Sequence, residues 1–244
     1  WPNRDNPQPR RLLLTGASGS LGRALALHHA APGIALSLWG RDPERLQQTA
    51  DLARAAGAEV SPRSCDLRDT ETAVAALLEE DAAKPFDCAY LVAGQGDVRA
   101  PGDLVEDPAL VLRLAQVNFA APAAMAAAVA GRMAERGHGR IVLIGSAAGH
   151  HSLPFAAAYA GSKAGLARFA DALRIAVKPH GVSVTLAAPG FIDTDMMAPY
   201  AGYREKMEGQ IPVGRFASPD EIASVVGFLM SPASRYMTGT VLPV

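Results

Sequence analysis

Three residues in one stretch of this chain carry groups that could move a proton. Ser146 closes the apolar run IVLIGS (141–146), and Tyr159 and Lys163 follow, four residues apart, in AYAGSKAGL. Read as a helix over 157–178, that segment places the phenol and the ammonium on one face. A strand ending at Ser146 delivers a hydroxyl to the same neighbourhood. Phenol, ammonium and hydroxyl around one pocket form an acid/base device for a carbonyl or an alcohol. Tyrosine ionises at about 10 in the absence of neighbours, and a nearby ammonium pulls it toward working pH. The serine would steady charge on the reacting oxygen. Tyr-x-x-x-Lys alone occurs by chance in any long helix, so the rest of the chain must supply the context.

Strand and helix patterns alternate along the chain. RLLLT (11–15) reads as a strand, followed by a Gly-rich turn, Gly16 to Gly22, and a helical run to about Ala31 that Pro32-Gly33 stops. IALSLW (34–39) is a second strand, and Asp42-Pro43 opens a helix with Asp42 as cap and Pro43 at its first position. Further strands are expected near 58–64, 87–92, 140–145, 182–187 and 240–242, with helices near 69–83, 107–115, 117–136, 194–208 and 219–230. The strands read as nearly continuous apolar runs. That pattern predicts an α/β fold: a single-domain, Rossmann-type, doubly wound parallel sheet flanked by helices over 11–244. Residues 1–10 read as a tail. Ligands of such sheets sit beyond the strands' carboxyl ends, where the unusual residues collect: the Gly turn, Asp66, Gly94, Ser146 and Pro189-Gly190.

Composition narrows the classes. Hydrophobic residues at 49% can fill a sizeable core, and a net charge of −1 gives no footprint for nucleic acid. No single apolar run has the length of a membrane span, so no membrane partner is expected. Cys65 and Cys88 make no disulfide framework and read as small buried hydrophobes in a reducing, cytoplasmic setting. His150-His151 lacks a third ligand at metal spacing, so no metal is expected.

The Gly-rich turn lets the backbone approach a pyrophosphate at a helix N-terminus. Its spacing, T-G-x-x-x-x-x-G, differs from the common dinucleotide fingerprint. With Thr15-Gly16-Ala17-Ser18-Gly19-Ser20-Leu21-Gly22, Asp66, Ala93-Gly94, Asn118, Ser146, Tyr159, Lys163 and Pro189-Gly190-Phe191-Ile192-Asp193-Thr194 in this order, the chain resembles the classical short-chain dehydrogenase/reductase family, and within it the 3-oxoacyl-(acyl carrier protein) reductases. The likeness runs from about residue 11 to the end. It departs at Ser20, where the family usually has Gly, and at Leu91-Val92, where the family's paired Asn would brace the sheet edge. The closing Thr238–Val244 resembles the family's last strand but stops where Asp-Gly-Gly often follows.

The resemblance implies a hydride transfer between a nicotinamide cofactor and a carbonyl or secondary alcohol. Tyr159 would be the general acid/base, with Ser146, Lys163 and Asn118 as its catalytic companions. Asn118 would bend its helix and hold a water connecting to Lys163. Cofactor contacts would come from Gly16, Ser18, Gly19, Ser20, Leu21, Gly22, Asp66, Leu67, Ala93, Gly94, Tyr159, Lys163, Pro189, Gly190, Ile192 and Thr194. The acid that reads a ribose 2′-hydroxyl is replaced by Gly40, and Arg41 follows, which favours NADP(H) over NAD(H). Ser146, His151, Phe155, Phe191, Met196 and Met197 are expected around an apolar substrate pocket, with 191–213 as its lid. The substrate would be a small carbonyl or alcohol, or an acyl thioester. A nucleotide sensor without catalysis is the contrasting class, and such proteins usually lack the tyrosine or the lysine. Family likeness further implies a homodimer or homotetramer built on helices 117–136 and 157–178.

Overall fold

Alternating side chains along each central strand enter two different cores. The computed structural model describes residues 10–234 and 241–244; most of the expected tail, and Thr238–Thr240 of the closing segment, lie outside the described residues. Seven strands form one parallel sheet in the order β3-β2-β1-β4-β5-β6-β7. They are β1 (Arg11–Thr15), β2 (Ala35–Gly40), β3 (Glu59–Ser64), β4 (Cys88–Leu91), β5 (Gly139–Ile144), β6 (Val182–Ala188) and β7 (Val241–Pro243). On β1, Leu13 packs into one layer while Leu12 and Leu14 pack into the other. Helices α3 (Thr70–Ala83), α5 (Ala121–Arg136) and α6 (Ala157–Val177) cover the Leu13 face. Helices α1 (Ser20–His29), α2 (Pro43–Ala55) and α8 (Pro219–Phe228) cover the opposite face. Helices α4 (Pro108–Ala115) and α7 (Arg204–Glu208) complete the set among the described residues.

Helix starts follow local chemistry. Asp42 accepts from the amides of Glu44 and Arg45 with Pro43 behind it, and Asp107 does the same for Ala109 and Leu110 ahead of α4. Ser218 and Glu221 form a reciprocal capping box on α8.

Three expectations change. β3 is not an apolar run: its sequence EVSPRS is largely exposed, because it is an edge strand paired only with β2, and an edge accommodates Pro62. The helices expected at 107–115 and 117–136 are one continuous run, Pro108–Arg136, joined by a π-helical turn at Gln116–Ala120. Its length and mean hydropathy of 1.3 over 18 residues would satisfy a membrane span, but half of that window is buried inside the protein. The helix expected over 194–208 is mostly 3-10, Asp195–Tyr203, with only Arg204–Glu208 α-helical, because Pro199 lacks an amide hydrogen.

Strand order reverses between β1 and β4. From β1 the chain moves toward β2 and β3; from β4 it moves toward β5 and β6. The crevice at their carboxyl ends is where the two sets of loops part.

Candidate active site

Gly16 opens that crevice. It has φ 74°, and a Cβ there would lie 2.9 Å from the backbone of Ala93. Gly22, in the first turn of α1, is tighter: a Cβ would stand 2.1 Å from the Gly16 carbonyl oxygen. Helix and turn therefore close on each other with room for glycine alone. Gly19 is the N-cap of α1, offers no side-chain cap, and no acid occupies the first turn. The leading amides, with Ser20 and Leu21 behind Ser18 and Gly19, carry the positive end of the helix dipole. This backbone cradle, free of carboxylates, fits a dinucleotide pyrophosphate. Thr15 Oγ1 accepts from the amides of Val92 and Ala93 at 3.0 and 3.2 Å. It thereby supplies a brace between β1 and β4 in the region where the sequence lacks the family's Asn.

At the end of β2, a Cβ on Gly40 would be 2.8 Å from Ser18 Oγ. Ser18 thus fills the space that an acid at position 40 would need. Arg41 beside it is exposed. Asp42 is committed to capping α2. Asp66 does not cap the following helix, since Asp69 does. Instead, Asp66 accepts from the Arg68 guanidinium at 2.9 and 2.5 Å and from its amide at 3.0 Å. That hydrogen bonding holds the Asp66 carboxyl below its ordinary range. Leu67 beside it is buried.

The residues expected to handle protons meet beyond β4 and β5. Asn118 is fully buried in the π-helical turn, which is the irregularity expected of its helix. Its Oδ1 accepts from the Gln95 amide at 2.8 Å, and its Nδ2 donates to the Gln95 carbonyl at 2.9 Å and Ser162 Oγ at 3.4 Å. Lys163 donates to the Ile144 carbonyl at 2.9 Å, and burial pushes its ammonium down to about 8. A Cβ at Gly94 would stand 3.3 Å from both Asn118 Oδ1 and Lys163 Nζ, so this glycine keeps the space between them open.

Ser146 begins the 3-10 turn Ala147–His150, and its Oγ accepts from the Ala148 amide at 3.2 Å, which leaves the hydroxyl proton for another acceptor. Gly149 seats that turn on α6, where a Cβ would be 3.0 Å from the Ala164 amide nitrogen. Tyr159 faces Ser146, and its ring centre lies 6.0 Å from Lys163 Nζ. Burial raises the phenol's pKa, and the hydrogen bond with Ser146 opposes that only in part.

The expected substrate wall is assembled only in part. Met196 packs where a Cβ on Gly96 would be, 2.7 Å from its Sδ. Asp195 pairs with Arg45 of α2 at 2.6 Å. Together these contacts draw the 195–203 turn across the carboxyl edge of the sheet. Thr194 begins that turn, and Met197 is tied into it through its amide and the Thr194 carbonyl. Ile192 is bridged to Ala217, and Gly190 donates to the Val244 carbonyl, which holds Pro189-Gly190 at the end of β6. Phe191 stacks on Phe216 at 5.3 Å between ring centres, in a packing role at the base of this segment. His151 and Phe155 are exposed, and no three metal-ligating side chains gather among the described residues. Sequence reasoning passed over Gln95 and Ser162, which hold Asn118. Their only signal was position: one follows Gly94, the other precedes Lys163.

Fold and site define an oxidoreductase of the nicotinamide type, and the comparisons agree. The family model described as enoyl-(acyl carrier protein) reductase matches residues 16–244. The chain belongs to the classical short-chain dehydrogenase/reductase family, whose members here act on alcohol and ketone groups. It is 32% identical over 242 residues to the 3-oxoacyl-(acyl-carrier-protein) reductase FabG of Pseudomonas aeruginosa, covering 97% of this chain and 96% of that one. Among solved structures, actinorhodin polyketide ketoreductase with NADPH is similar at 27% identity, with a TM-score of 0.87 and 96% and 95% of the two chains covered. An NAD+-bound xylitol dehydrogenase is similar at 26% identity, with a TM-score of 0.86 and coverage of 96% and 97%.

Proposed function

We propose that this chain is an NADP(H)-dependent carbonyl reductase in which Tyr159 protonates the carbonyl oxygen. The observation that carries the reading is a half-buried phenol facing Ser146, on the same helix face as a buried lysine. Bound at the turn, the dinucleotide would supply the hydride. Gly16, Ser18, Gly19, Ser20, Leu21 and Gly22 would hold its pyrophosphate, Asp66 and Leu67 its adenine, and Ala93, Gly94, Pro189, Gly190, Ile192 and Thr194 its nicotinamide half. Arg41, with position 40 closed to an acid by Ser18, supports the 2′-phosphate. Ser146 would turn its hydroxyl proton from Tyr159 to the carbonyl oxygen, and Lys163 would support the nicotinamide ribose and Tyr159.

An acyl thioester is the second reading, favoured by the likeness to the Pseudomonas reductase along nearly both chains. Exposed Leu104, Val105 and Leu112 around α4, with Ile175 on α6, support a homodimer or homotetramer in which a second copy covers them. Tyr159→Phe tests the chemistry. Turnover of ketones and acyl thioesters with NADPH should fall about a thousandfold, with NADPH still bound. Turnover equal to that of the unaltered chain would sink the proposal.

A further inference from the structure

Helix α6 begins without a cap of its own. Its N-cap residue is Ala156, and residues 153–158 read Leu-Pro-Phe-Ala-Ala-Ala, so the adjoining chain offers no side-chain acceptor for the first amides. The acceptor comes from the loop between β4 and α4. Glu106 Oε2 accepts from the Ala158 amide at 2.8 Å, across 52 residues of sequence. Ala158 directly precedes Tyr159. The same loop grips the approach to α6 a second time, where the Arg99 amide donates to the Phe155 carbonyl at 2.9 Å. The other carboxylate oxygen, Oε1, is buried without a hydrogen-bond partner, and Arg113 of α4 is paired with Asp97 instead. A carboxylate so placed is stabilised by the helix N-terminus it caps.

We propose that Glu106 is a positioning residue for Tyr159, capping α6 from outside the helix and so setting where the phenol stands. The inference rests on Tyr159 being the proton donor. Lys163 is anchored separately through the Ile144 carbonyl, so loosening the first turn reaches Tyr159 and spares Lys163. Loss of the cap should therefore appear in kcat and not in cofactor affinity.

The test compares the unaltered chain with Glu106→Ala, which removes the acceptor, and Glu106→Gln, which keeps one. Carbonyl reduction with NADPH, NADPH binding by fluorescence, and amide hydrogen exchange over 153–163 are measured for each. Glu106→Ala should lower kcat about tenfold, leave the NADPH Kd within about twofold, and speed exchange of the 157–160 amides. Glu106→Gln should recover kcat to within about threefold of the unaltered chain. Should Glu106→Ala fail to fold, Glu106→Asp, too short to reach the amide, is expected to show the same kcat loss. Unchanged exchange in the variant lacking the cap overturns the cap itself, whatever the activity. An unchanged kcat, or a Gln variant as impaired as Ala, overturns the positioning role. An unaltered chain inert toward every carbonyl would remove the reading of Tyr159, and with it the role of Glu106, even if exchange quickened.

Discussion

Lys163 is expensive to keep where it is. Burial lowers its ammonium from 10.5 to about 8, so the folded chain releases this proton before the unfolded chain does. Between those values the unfolded state binds more protons, and stability should rise with pH, by about 3 kcal/mol for a shift of this size. Tyr159 acts the other way. Its raised pKa costs nothing below 10, and stability is lost as pH climbs beyond that, where the unfolded tyrosine ionises first. Lys163→Met should therefore abolish the rise between pH 8 and 10.5 in denaturation curves of the cofactor-free protein. A rise of the same height in the variant would show that other groups cause it. That Asn118, Ser146, Tyr159 and Lys163 share one neighbourhood was legible. How far Lys163 and Tyr159 are desolvated was not, since that follows from what the fold packs around them.

The turn between β2 and α2 was read from Gly40 and Arg41, and the structure adds Ser18 to them. Gly40 and Ser18 occupy one space: a Cβ on the first would meet Oγ of the second at 2.8 Å. Arg41→Ala is expected to weaken NADPH binding more than NADH binding, measured side by side by titration. Gly40→Asp alone should be destabilised by about 1–3 kcal/mol through crowding, without gaining NADH preference. Combined with Ser18→Gly, it should bind NADH the better of the two. If the single variant already prefers NADH, Ser18 does not close the position. Elements with capping chemistry in their own sequence, such as Asp42-Pro43, were legible. The start of α6 was not, because its cap, Glu106, lies on another element. The bend at Asn118 was expected from the family resemblance, and its π-helical form has a related cause: the helix deforms where a buried amide reaches the loop after β4.

Two surfaces of the molecule differ in character. The carboxyl edge of the sheet gathers the glycine turn, Asn118, Ser146 and Tyr159 at the switch between β1 and β4. The flank near α4 and α6 instead exposes large apolar side chains, with Leu112 at 73% and Ile175 at 64% exposure. Sedimentation of the unaltered chain should give a dimer or a tetramer, and Leu112→Glu should shift it toward smaller species. A monomer in the unaltered chain would remove the proposed assembly.

Local chemistry was enough to read the alternation of strands and helices, the parallel sheet, the glycine turn and the Ser-Tyr-Lys set. Apolar period, turn residues and caps act over a few residues of chain, and the motif order added the family. Contacts between distant segments decided the rest: the exposed edge strand β3, the Ser18–Gly40 exclusion, the stacking of Phe191 on Phe216, and the Glu106 cap. Each depends on which side chains arrive at the same place, and close packing settles that only when the whole chain has folded.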